Sequence, residues 1–221
     1  MEKFNSFADA IKANNILAVK EMLDENPTVI HSVTPEGYSV VMLAAYLHHM
    51  KMLEILVMRK RRLDIHEACA AGVLREVERI IDKDKTKILE NSPDGYAPLH
   101  HACWFGHEAV ARFLISKGAQ TNGASAHPSK VTPLHCAVNS KLVDMTQYLL
   151  KSGAEINAKQ QGGLTPLHLA VQNGHAAMVK LLVESNADKN ARDDSGKTPA
   201  DLAKEKGFSQ IADYLEGKLQ V

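Results

Sequence analysis

A short motif recurs along this chain at a nearly constant interval, and that periodicity narrows the possible folds more than any other feature. Ala97-Pro98-Leu99-His100 returns as Thr132-Pro133-Leu134-His135 and as Thr165-Pro166-Leu167-His168, with a degraded copy at Thr198-Pro199-Ala200-Asp201. The steps between their first residues are 35, 33 and 33. A glycine stands two residues ahead of three of the copies, at Gly95, Gly163 and Gly196. Behind two of them Ala-x-x-x-Gly-His occurs, from Ala102 to His107 and from Ala170 to His175. An apolar segment follows and ends in Lys117-Gly118-Ala119, Ser152-Gly153-Ala154 or Ser185-Asn186-Ala187. A unit of this length cannot bury an apolar stripe alone, so the period predicts stacked units sharing one core.

The pattern resembles the ankyrin repeat. Weaker copies extend it upstream: Gly37 to Ala45, Ile65 to Gly72, and a cap-like start from Phe7 to Asn14. Aligned on the Thr position, the anchors fall at 5, 39, 63, 97, 132, 165 and 198, which makes seven units. The resemblance implies an all-α ankyrin solenoid of helix-turn-helix units joined by short loops. The expected divisions are an N-terminal cap at 1–34, a shortened repeat at 35–58, and repeats at 59–92, 93–127, 128–160 and 161–193. A C-terminal cap closes the stack at 194–221. Thr before Pro suits a helix start, since the hydroxyl caps and Pro fits the first turn. Gly106 and Gly174 are placed to end the first helix in a left-handed conformation.

One interval departs from the rest. Between anchors 39 and 63 the step is only 24, so the usual loop near 58–63 is missing. Residues 7–58 also align with 65–116 at a constant offset of 58, with about a dozen identities that include Pro35/Pro93, Gly37/Gly95, Tyr38/Tyr96 and His49/His107. This reads as a duplicated two-repeat block with the short joint as its seam.

Charge and cysteine content exclude several classes. The chain has 26 basic and 26 acidic residues, with 13 and 16 in residues 1–110 and 13 and 10 in residues 111–221. A near-neutral chain lacks the basic stripe a nucleic-acid binder uses. No apolar run reaches the roughly 18–20 residues of a membrane helix. The polar start, Met1 to Phe7, shows no secretory signal. Three separated cysteines, Cys69, Cys103 and Cys136, read as reduced thiols in the cytoplasm.

Histidines are numerous, and His66, His100, His135 and His168 fall at repeat spacing. In the family this His hydrogen-bonds backbone within and between repeats, so the resemblance implies a structural role and no metal or cofactor. Cys69 and Cys103 stand where the repeat expects a core Ala. No nucleophile elbow, phosphate loop or dinucleotide motif occurs, and the expectation is not an enzyme.

Two features remain for function. Arg59-Lys60-Arg61-Arg62 occupies the short joint, where it is either a solvated helix end or a contact for an anion or acidic partner. Five of the eleven aromatic residues, Tyr38, Tyr46, Tyr96, Trp104 and Phe105, fall at positions the repeat leaves variable. In the family those positions line the concave, partner-facing surface. The expected site is a groove floored by Ala70 and Ala71 and walled by Tyr46/Leu47 and Trp104/Phe105. His101 contributes as well, and Arg59, Arg61 and Arg62 lie near the rim. The resemblance implies a monomeric adaptor, inhibitor or scaffold binding a protein through repeats two to four. The alternatives are an anion- or metal-dependent sensor or enzyme using the groove as a pocket, and a bacterial effector acting on a host protein, as in small bacterial ankyrin proteins.

Overall fold

The computed structural model describes residues 6–219. The polar start at Met1 to Asn5, on which the reading of a missing secretory signal partly rests, lies outside them. Among the described residues there are fourteen α-helices and no β-strands. They alternate as first and second helices of seven pairs. The first helices are α1 (Phe7–Lys12), α3 (Val40–Tyr46), α5 (Ile65–Ala70), α7 (Pro98–Phe105), α9 (Pro133–Asn139), α11 (Pro166–Gln172) and α13 (Pro199–Glu205). The second helices are α2 (Ile16–Glu25), α4 (Met50–Arg59), α6 (Leu74–Lys83), α8 (Glu108–Ser116), α10 (Val143–Lys151), α12 (Ala176–Glu184) and α14 (Ser209–Leu215).

The local chemistry explains where helices begin. Ser6, Ser39 and Thr198 accept hydrogen bonds from the N–H three residues ahead, and Asp64 does so within a reciprocal capping box with Glu67. At Thr132 and Thr165 the partner in the box is the motif histidine, His135 or His168. Each first helix turns into its second through a residue of positive φ. Gly106 and Gly174 take this role as expected, at 79° and 61°, but Asn14, His48 and Lys141 do the same without glycine.

Each first helix packs on the next, α1 on α3 through to α11 on α13, and the second helices form the other layer. Small residues allow the close approach: Ala44, Ala68, Cys69, Ala102, Cys103 and Ala137 are all buried. The second helices add one apolar stripe each, such as Met52, Leu53 and Leu56 on α4 or Met178, Val179 and Leu182 on α12. One continuous core runs from Phe7 to Leu215.

The short joint is evident. Five residues, 60–64, link α4 to α5, whereas 14 to 16 precede the other first helices from α3 onward. The third unit therefore carries no projecting loop. Its neighbours close over the gap: a Cβ built on Gly37 would lie 3.6 Å from the Pro93 Cβ. The two loops share one turn, with Thr34 and Ser92 each donating backbone N–H to the Tyr38 or Tyr96 carbonyl at 2.8 and 2.9 Å. The duplicated loops meet because the unit between them has none.

Candidate functional site

The aromatic residues converge on this gap. Tyr38 and Tyr96 stand at the ends of the two loops, Tyr46 ends α3, and Trp104 and Phe105 end α7. Tyr38 meets Tyr46 edge-on with centroids 5.4 Å apart, and Tyr46 reaches Phe105 at 5.5 Å. The Tyr46 hydroxyl donates to Asp94 Oδ2 at 2.6 Å. Burial and that carboxylate push the Tyr46 hydroxyl far above the ordinary tyrosine range, so it stays a donor.

Asp94 gathers a small network. The Ser92 hydroxyl donates to its other oxygen. The His101 Nε2 lies 3.3 Å from Ser92 Oγ, and with the Ser92 proton turned to Asp94 the imidazole N–H is the donor. His101 also meets His66 edge-on at 5.2 Å. Burial, followed by the neighbouring His66, lowers the His101 pKa. Burial lowers His66 to about 4, so both rings are neutral at pH 7.

Two cavities open beside this cluster. One, of about 350 Å³, is lined by Tyr38, Tyr46, Leu47, Asp94, Tyr96 and Trp104, with His100, His101 and His127 behind them. The second, also about 350 Å³, is lined by Ala45, Met50, Ala70, Trp104, Phe105 and Leu142 among others. Trp104 belongs to both.

This arrangement revises the expected groove. Its two walls are not separate, because Tyr46 and Phe105 pack on each other across the third unit. Of the two alanines expected as the floor, Ala70 lines the second cavity and Ala71 lines neither. Leu47 is exposed (38%), whereas His101 is only 2% exposed and forms part of the inner wall instead of a surface for a partner. The basic residues line neither cavity. Arg59 pairs with Asp24 on α2 at 2.7 Å. Lys60 turns inward to Glu67, whose side chain is wholly buried, at 2.5 Å. Arg61 and Arg62 are exposed. Sequence reasoning missed Asp94 and His127. Asp94 had a signal in its equivalence to Glu36 at the offset of 58, whereas His127, stacked on Tyr96 at 5.3 Å, comes from the longest loop and has none.

The motif histidines divide as well. The ring Nε2 of His100, His135 and His168 donates to the carbonyls of Val131, Leu164 and Lys197 at 3.0, 3.3 and 3.2 Å. His66 departs from this pattern, since neither ring nitrogen has a hydrogen-bond partner. Among the described residues no group of three or more His, Cys, Asp or Glu is placed to hold a metal ion. The three cysteines are buried, and burial raises all three thiols, Cys136 to about 12, so none is a thiolate at neutral pH. No helix among the described residues is long and apolar enough to cross a membrane.

Comparison with known proteins places the repeats. Residues 65–160 match the family of ankyrin repeats (3 copies), and residues 151–203 match ankyrin repeats (many copies). The transient receptor potential cation channel subfamily A member 1 homolog of Caenorhabditis elegans is 28% identical over 135 residues, 61% of this chain and 11% of that protein. The ankyrin repeat and SAM domain-containing protein 6 of Rattus norvegicus is 33% identical over 154 residues, 70% of this chain and 15% of its own length. Human protein phosphatase 1 regulatory subunit 27 is 32% identical over 92 residues, 42% of this chain and 58% of that protein. The chain thus spans only a small part of the first two relatives and somewhat over half of the third.

Proposed function

Because the chain belongs to the ankyrin-repeat family, we propose that it is a non-catalytic module that seats a partner protein on the aromatic surface of its second to fourth units. Ankyrin repeats are in general protein–protein interaction modules, and one relative is by name a regulatory subunit of a phosphatase. The observation that carries the reading is the position of Trp104. Its half-buried ring separates two open recesses, the first largely apolar and the second of mixed polarity, with exposed Leu47 at the edge of the first and exposed Met50 at the edge of the second. Large rings flanked by such recesses are typical binding hot spots, where truncation costs about 2 kcal/mol or more. The surface is already organised by the Tyr46–Asp94 and aromatic contacts, which lowers the ordering cost of association. Its role is that of a monomeric adaptor, inhibitor or scaffold in the cytoplasm, where three buried thiols remain reduced.

The test is affinity capture from an extract of the source cells, with wild type beside Trp104→Ala/Phe105→Ala. One contact of α7 does not involve these rings: the Ser140 hydroxyl donates to the Trp104 carbonyl at 2.7 Å. The double variant should keep its helicity and lose the partner. If both proteins retain the same partner, the aromatic surface is not the docking site.

A further inference from the structure

The recess beside Asp94 has a composition that selects its occupant. Three tyrosines and a tryptophan, Tyr38, Tyr46, Tyr96 and Trp104, contribute to its walls. Asp94 supplies a carboxylate, and no Lys or Arg lines the space. Asp94 forms no ion pair among the described residues; its oxygens accept from two neutral hydroxyls, which orient the charge without cancelling it. Where cations of this chain do lie over ring faces they lie elsewhere, Arg112 at 3.9 Å over Tyr148 and Lys117 at 5.2 Å over Phe113. Of the histidines behind the recess, His100 and His101 do not offset the carboxylate, since burial keeps them uncharged at neutral pH.

Resting on the docking surface proposed above, we propose that this recess receives a methylated lysine side chain carried by the partner protein. Ring faces carry negative partial charge and attract a cation held against them. A neutral apolar group would fill the space but leave the Asp94 carboxylate uncompensated. An unmodified ammonium would bring the right charge, but it is compact, strongly hydrated and has three N–H donors to satisfy. Each Asp94 oxygen already receives one hydroxyl proton, so only its remaining lone pairs are open to those donors. Each methyl group removes a donor and adds apolar surface that the rings can cover. Lysine delivers that group at the end of a flexible four-carbon stem, and exposed Leu47 lies at the edge of the recess to cover it.

Trp104 is the only tryptophan in the chain, so its fluorescence reports on this recess directly. The full chain is titrated with Nα-acetyl-Nε-trimethyllysine amide, with its unmethylated counterpart, and with a neutral isostere in which carbon replaces the charged nitrogen. Calorimetry supplies the affinities. The trimethyl compound should give a saturable change and bind about tenfold more tightly than either control. Asp94→Asn keeps an acceptor for the Tyr46 hydroxyl, and should weaken the trimethyl compound about tenfold while leaving the isostere unchanged. Tyr96→Leu, which removes a ring but no charge, should weaken it as well. Equal affinity for isostere and trimethyl compound, or no saturable change, overturns the assignment. Free choline binding as tightly as peptides with a central trimethyllysine would overturn the assignment to a protein side chain. If Asp94→Asn captures the partner fully while Trp104→Ala/Phe105→Ala does not, the docking surface stands and the cation reading falls.

Discussion

The Tyr46 hydroxyl and the Asp94 carboxylate, 48 residues apart, form a 2.6 Å hydrogen bond that ties the second unit to the loop of the fourth. No such bond is open to a regular stack, in which the third unit would place its own loop between them. Tyr46→Phe keeps the ring contacts with Tyr38 and Phe105 and removes only the donor. It should lower stability by about 1.5–3 kcal/mol, the range of a hydrogen bond to a charged acceptor. Urea unfolding of Tyr46→Phe, Asp94→Ala and the double variant measures the coupling. Additive losses would mean that the bond does not join the two units.

The basic joint should behave as two unlike pairs of residues. Lys60 is 11% exposed at its side chain and faces a Glu67 carboxylate that is 0% exposed. Lys60→Met leaves that carboxylate buried with only the Asp64 N–H at 3.0 Å as a partner, so a loss of about 3 kcal/mol is expected. Arg61→Ala and Arg62→Ala, at exposed positions, should leave the unfolding midpoint where it is. An equal response at all three positions would contradict the inward role of Lys60.

Acid should weaken the stack before its carboxylates titrate. Burial lowers His66 and His135 to about 4 in the folded chain, and His100, His101 and His168 are also lowered. Unfolded histidine titrates near 6.5, so between about 6.5 and 4 the unfolded chain binds more protons than the folded one. The stabilisation is complete above the unfolded pKa and is lost as pH falls toward the folded values. Melting temperatures recorded at pH 7.5 and pH 5.0 should fall clearly. A flat profile would show that these imidazoles are not buried in neutral form.

Two histidines of the same repeat position should respond oppositely to leucine. In His135 both nitrogens are used: Nδ1 accepts from the Thr132 hydroxyl at 2.8 Å, and Nε2 donates to Leu164. His135→Leu should cost about 2 kcal/mol through the partners left behind. His66 has no partner at either nitrogen, so His66→Leu should be neutral or stabilising by about 1 kcal/mol. Thermal unfolding decides; a comparable loss at both positions would mean that His66 holds a polar contact of equal worth.

The sequence by itself determined the unit and its count. Motif spacing, Thr-Pro helix starts and apolar stripes are local signals, and each acts within the unit that carries it, so helices α7 to α14 follow directly from the text of the chain. The missing loop was legible too, because a deletion from a periodic pattern shows as a change in interval. What fills the gap was not legible. Only the tertiary structure brought the Gly37 and Pro93 loops together, set Tyr46 against Phe105, and turned Lys60 inward while Arg59 faced Asp24. His101 shows the same limit: it was expected among the partner-facing residues, yet it is buried beside Ser92 and His66. The physical reason is range. A repeat pattern encodes contacts between adjacent units, whereas this site is made by units two apart, through side chains whose directions depend on how far the stack closes over a loop that is absent.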